Sequence, residues 1–170
     1  MTEATIDAAE ATVSQSAPAA QPAEQARDQR AMALVQSYVP WAAASGLIPV
    51  PTADVAALLA LQVRMLAKLG AMYEVPFLQN SVKGAVSALL GTAVASGAGA
   101  SLGSLVKAVP LVGTYVGFIA APGAFAAVTY AVGRVFVTHF ESGGTFLDFD
   151  PQKTREYFKA EFEKAKASAQ

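Results

Sequence analysis

His139 is the single histidine of the chain, and with Glu141 it supplies a fragment of a metal-ligand motif. One imidazole and one carboxylate without further ligands do not close a zinc shell. A histidine at a membrane boundary, hydrogen-bonded to a neighbour, accounts for it without a metal. Asp148 and Asp150 have the residue type of an acid–base pair, but an acid followed by proline, as in Asp150-Pro151, already reads as a helix start. No Ser–His–Asp grouping has a pocket on which to converge. The cysteine count is zero, which removes thiol redox chemistry, disulfides, cysteine nucleophiles and thiolate metal sites. Gly97, Gly99 and Gly103 invite a nucleotide-binding reading. They miss the dinucleotide fingerprint, no strand precedes them, and no Gly-Lys-Ser/Thr occurs for a phosphate loop. The expectation is a chain that is not an enzyme and uses no metal and no cofactor.

What must position these residues is unusual. Twelve basic and thirteen acidic side chains nearly cancel, so the chain lacks the basic footprint of a nucleic-acid partner. The apolar fraction is 54% and the charged fraction 15%, the latter against about 25% in an ordinary soluble protein. Charges gather toward the two ends of the sequence. In residues 84–133 the only charge is Lys107, which separates two uncharged runs, 84–106 and 108–133, of 23 and 26 residues. Each is long enough to cross roughly 30 Å of hydrocarbon as a helix. The reading is a helical hairpin in a membrane, with Lys107 at its turn.

The first run is built mostly of Gly, Ala, Ser and Thr. Gly91, Ala95, Gly99 and Gly103 recur every fourth residue, and Gly113 and Gly117 repeat the spacing in the second run. Such a strip lets another helix backbone approach closely, which is how helices associate in lipid. Pro122-Gly123 predicts a kink in the second helix. If the helix breaks there, its first part is too short to span, and a re-entrant hairpin becomes the alternative.

The flanks are divided as follows. Residues 1–27 are expected to form a disordered, weakly acidic tail. Residues 28–150 form a membrane-associated helical domain around the hairpin 84–133, and residues 151–170 a C-terminal amphipathic helix. Within the domain, a short helix over 28–45 bends near Pro40, and Leu47 to Pro51 form an extended turn. Residues 31–53 are also uncharged, equally suited to a buried helix or to membrane contact. Thr52 is expected to cap the next helix, with Asp54 in its first turn. Asp54, Gln62, Arg64 and Lys68 fall within one arc of that helix. Arg64 and Lys68 suit lipid phosphates if it lies at an interface, and otherwise form a solvated stripe. Ser142-Gly143-Gly144 stops a helix, and Phe146, Leu147 and Phe149 are expected to dock on the body. The last helix starts at Pro151, pairs Lys159 with Glu163 and gathers Tyr157, Phe158 and Phe162 on one face. Its bases, with Arg27 and Arg30, place both termini in the cytoplasm under the positive-inside rule.

The order of Leu47-Ile48-Pro49-Val50-Pro51, the Gly/Ala run, Val109-Pro110-Leu111-Val112-Gly113, Thr129-Tyr130-Ala131-Val132-Gly133-Arg134 and Asp148-Phe149-Asp150-Pro151 resembles the YcjF-like proteins, family 697 of the domains of unknown function. The resemblance runs over residues 28–166 and looks like the small stand-alone bacterial members. It implies a bacterial inner-membrane protein whose domain often accompanies small GTPases. It supplies no catalytic residue. The combined expectation is an all-α, non-enzymatic membrane protein in contact with lipids. It self-associates through small-residue faces as a homo-oligomer and serves as membrane partner of a small GTPase. The alternatives are an oligomeric pore and a soluble Ala/Gly-rich bundle with an unidentified ligand.

Overall fold

The structure, a computed structural model, describes residues 17–50, 52–95 and 112–168. Among these there are five helices and no strand: α1 (Ala17–Ser45), α2 (Ala53–Met72), α3 (Gln79–Ala95), α4 (Val112–Glu141) and α5 (Arg155–Ser168). Gly99, Gly103 and Lys107, and so the turn of the expected hairpin, lie outside the described residues.

Helix α4 is the axis of the bundle and contacts all four other helices. Its sequence explains the role: Val128, Ala131, Val132, Val135 and Phe136 are buried, together with Ala124, Phe125 and Ala127 on neighbouring turns. Helix α1 runs antiparallel to it at very close range. A Cβ built on Gly133 would overlap both γ-methyls of Val35, and one on Gly46 would stand 2.9 Å from the backbone of Ala121 and Pro122. Glycine at these two positions is what allows the backbones to approach.

Several boundaries differ from expectation. Helix α1 begins at Ala17, inside the segment read as a tail, and carries Pro22 and Pro40 inside it. Helix α4 continues through Pro122 without interruption. Thr52 precedes α2 with a φ of 78° and makes no side-chain capping bond. The amide of Val55 is instead bonded by the Asp54 carboxylate at 2.8 Å. The Asp150 carboxylate does accept the Gln152 N–H at 2.9 Å, but regular helix starts only at Arg155. Lys159 pairs with Glu156 at 3.0 Å instead of with Glu163.

Two helix stops share one geometry. Gly143 and Gly144 return their N–H groups to the carbonyls of Phe140 and His139, with Gly143 at φ 82°. Glu74 and Val75 do the same to Ala71 and Gly70, with Glu74 at φ 58°. Both are Schellman ends, which satisfy the last carbonyls of a helix. After the Gly143-Gly144 stop, Phe146 folds back onto α2, where a Cβ on Gly70 would meet its ring at 2.8 Å. Phe146 is buried and Phe149 stacks on Phe136 at 4.3 Å between ring centroids. Leu147, expected to dock with them, is 76% exposed.

Candidate functional site

The bundle has a charged end, which also exposes Phe77, Leu78 and Leu147, and an opposite end whose exposed side chains carry no charge. The N-terminal half of α1, the C-terminus of α2 and the α4–α5 connection form the charged end, with Arg27, Asp28, Glu74, Glu141, Asp148 and Lys153. At the opposite end α1 turns into α2, and there Trp41, Leu47, Val50 and Val55 are 68%, 50%, 55% and 40% exposed. Asp54 is the only charged residue between Arg30 and Arg64, and it is fully buried. Sequence reasoning did not select these four apolar residues. The uncharged run 31–53 carried the signal, but whether its large side chains point inward cannot be read from a sequence.

The small-residue strip is only partly within view. Gly91 is exposed on α3, and a Cβ on it would meet nothing within 4 Å. Ala95 ends α3, and Gly113 and Gly117 lie in the first two turns of α4. Gly46, Gly70, Gly133 and Gly144 are the glycines whose surroundings are described and that are closely packed within the chain.

The polar arc of α2 is split. Arg64 and Lys68 are exposed, with the Lys68 ammonium 5.4 Å from the centre of the Tyr38 ring. Gln62 turns inward to complete burial and donates from Nε2 to the Thr129 hydroxyl on α4 at 2.9 Å. Thr129 in turn donates to the Phe125 carbonyl at 2.9 Å. The arc over Asp54, Gln62, Arg64 and Lys68 thus divides, Asp54 and Gln62 facing the core and Arg64 and Lys68 the surface.

At the charged end the side chains that suggested chemistry hold loops together. His139 Nε2 bonds the Thr145 carbonyl at 2.8 Å and lies 3.8 Å from Asp148. The Asp148 carboxylate accepts from the hydroxyl and the amide of Thr145, and these bonds hold its pKa below the ordinary aspartate value. Among the described residues there is no group of three or more His, Cys, Asp or Glu placed to hold a metal. The Tyr73 hydroxyl donates to Glu141 at 3.2 Å, while the Arg27 guanidinium sits 5.0 Å from the centre of the same ring. Helix α5 is fastened by Arg134, which lies 3.8 Å from Glu161 and 4.0 Å from Asp28.

Two clefts flank this body. One, of about 490 Å³, lies among α1, α4 and α5, with Val39, Pro40, Ala126, Ala127 and Tyr130 on its walls and Lys164 at its edge. The other, of about 360 Å³, is polar and lined by Glu24, Arg27, Asp28 and Glu141.

Among the described residues two helical stretches are long and apolar enough to cross a membrane, Ala53–Met72 and Ala121–Glu141. The second has 67% of its apolar window buried inside the fold, against 33% for the first, so by burial it is equally the core helix of a bundle. Of the expected spans, 108–133 overlaps the second stretch over 121–133, and the latter half of 84–106 lies outside the described residues.

The chain has relatives among known proteins. It is 40% identical over 144 residues to "Magnetosome membrane protein 22" of Magnetospirillum gryphiswaldense, covering 84% of this chain and 74% of the relative. No solved structure matches it. The family described as "Domain of unknown function (DUF697)" matches residues 14–167, and the chain belongs to that family.

Proposed function

We propose that the protein is a non-enzymatic component of a bacterial inner membrane, anchored through the uncharged hairpin 84–133, with its charged end and both termini in the cytoplasm. The observation that carries this reading is the segregation of charge within the fold. The helices that lead into the uncharged run lose every exposed charge toward one end, and the acid that remains there, Asp54, is fully buried. The membrane relative supports it.

Self-association follows from Gly91. It leaves open space on an exposed helix face, at the start of the strip that continues in sequence through Ala95, Gly99, Gly103, Gly113 and Gly117. A second copy meeting that face gains close packing, the main source of helix affinity in lipid. The charged end is then the surface offered to a cytoplasmic partner, for which a small GTPase is the proposed class.

Alkaline washing of membranes tests the anchor. The protein stays in the pellet and requires detergent for release, and a monodisperse particle in plain buffer defeats the reading. A cysteine at position 107, alone in a cysteine-free chain, reacts with an impermeant reagent only from the side opposite the termini if the hairpin spans. Nucleotide-loaded small GTPases offered to the detergent-solubilised protein test the partner. A second reading, favoured by the 40% identity over most of the chain, makes the host membrane that of a magnetosome. It requires a tagged copy to co-purify with magnetosomes in a cell that forms them.

A further inference from the structure

The depth of the α1–α2 turn can be measured against α4. Gly46 is seated on Ala121 and Pro122, 2.9 Å from their backbone atoms, which fixes the level of the turn. Beyond that level α4 continues to Val112, about 14 Å further at the helical rise. In the other direction, Ala127 and Pro40 share a cleft wall with Lys164, and Ala127 stands about 9 Å from Ala121 along the helix. On α2 the first exposed charge is Arg64, about 16 Å from Ala53. A level drawn through Lys164 thus leaves about 23 Å of α4 below it, followed in sequence by the uncharged residues 108–111. The α1–α2 turn goes only about 9 Å below the same level.

Within that shallow zone, Trp41, Leu47, Val50 and Val55 are the large exposed side chains. From these relationships we infer that the α1–α2 turn is a re-entrant wedge. It dips into the acyl chains of one leaflet beside the hairpin and returns to the same side. The occupant of this surface is lipid. The four side chains surround a turn, whereas a helix-packing partner needs small residues that let backbones touch. Tryptophan is the residue type that favours the boundary between headgroups and chains, and a depth of about 9 Å lies within the 5–10 Å range of interfacial insertion. The one carboxylate at this end, Asp54, is fully buried. The α1–α2 segment therefore passes through lipid without exposing a charge below Arg30 and Arg64. This inference rests on the membrane reading above and adds a second, shallower element to it.

The test uses the native protein, because Trp41 is its only tryptophan. The protein is reconstituted into vesicles of phosphatidylethanolamine and phosphatidylglycerol. Part of the lipid carries bromine either near the carbonyl end or near the methyl end of the acyl chain. Flotation first establishes that the protein is in the membrane. The expected result is blue-shifted emission, quenched about twofold or more by the shallow bromines and less by the deep ones. Moving the probe with Trp41→Phe and Leu47→Trp shifts the balance toward the deep bromines. If the protein floats but Trp41 is quenched by aqueous acrylamide and by neither lipid, the wedge is wrong and the anchor stands. The wedge is equally wrong if both acrylamide and bromines fail to reach Trp41, since a second copy then covers the turn. Deep bromines quenching native Trp41 best also overturns the shallow wedge. Failure to float overturns both inferences.

Discussion

Gly133 of α4 lies directly under Val35 of α1, and no methyl group fits between them. Alanine at this helical position carries an intrinsic gain of about 1 kcal/mol over glycine, whereas overpacking a filled core costs about 1–3 kcal/mol. Overlap with both γ-methyls of a fully buried valine makes the second effect win. Gly133→Ala is expected to lower stability by about 1–2 kcal/mol. Val35→Ala in the same chain restores part of the loss, and a thermal or denaturant double-mutant cycle reads the coupling. Additive effects would show that the two helices do not meet there.

The Gln62–Thr129 bond gives an asymmetric pair of expectations. Gln62 Oε1 is buried without a partner, while its Nε2 depends on the Thr129 hydroxyl. Thr129→Val removes that acceptor and leaves both ends of the buried amide unpaired, at a cost of about 1–3 kcal/mol. Gln62→Met keeps the volume and removes the orphaned oxygen, while Thr129 keeps its bond to Phe125. That variant is expected to be neutral or slightly stabilising. Chemical denaturation in detergent ranks the two, and equal losses would argue against the bond.

Two local signals were legible, whereas the side-chain cap expected from Thr52 is not made, the last helix starts later than Pro151, and α4 runs on through Pro122. Ser142-Gly143-Gly144 needs only its own backbone to end α4, and Asp150 needs only the next amides. The facing of α2 was not legible. Gln62 looks like a surface residue until Thr129, 67 positions away, supplies its partner. The glycines divided in the same way. A four-residue spacing points to Gly91 on its own, whereas Gly46 and Gly133 have a use only once α1 is laid along α4. The single outward turn of Trp41, Leu47, Val50 and Val55 was hidden because an uncharged run has the same composition whether protein or lipid covers it.

Gly91 separates folding from self-association. Since a side chain there meets nothing among the described residues, Gly91→Ile is expected to leave helical content and thermal unfolding of the monomer nearly unchanged. A bulky residue on a small-residue face keeps a second backbone away. Cross-linking in vesicles should therefore fall by about tenfold or more. Undiminished cross-linking would remove the strip from the interface, and gross unfolding would mean that its face is occupied within the chain.

Tyr73 ties the end of α2 to the end of α4 through its hydroxyl on Glu141, and it titrates late. Burial first, and then the Glu141 carboxylate, raise its pKa well above the ordinary phenol value. The protonated phenol is the form the fold favours. Its contribution to stability is complete below the unfolded value of about 10, and is lost as the pH rises through the higher folded value. In an absorbance titration of the five tyrosines, the last step is expected to vanish in Tyr73→Phe and to move to lower pH in Glu141→Gln. An unchanged last step in Tyr73→Phe would assign the late titration to another tyrosine and leave the ends of α2 and α4 without this tie at high pH.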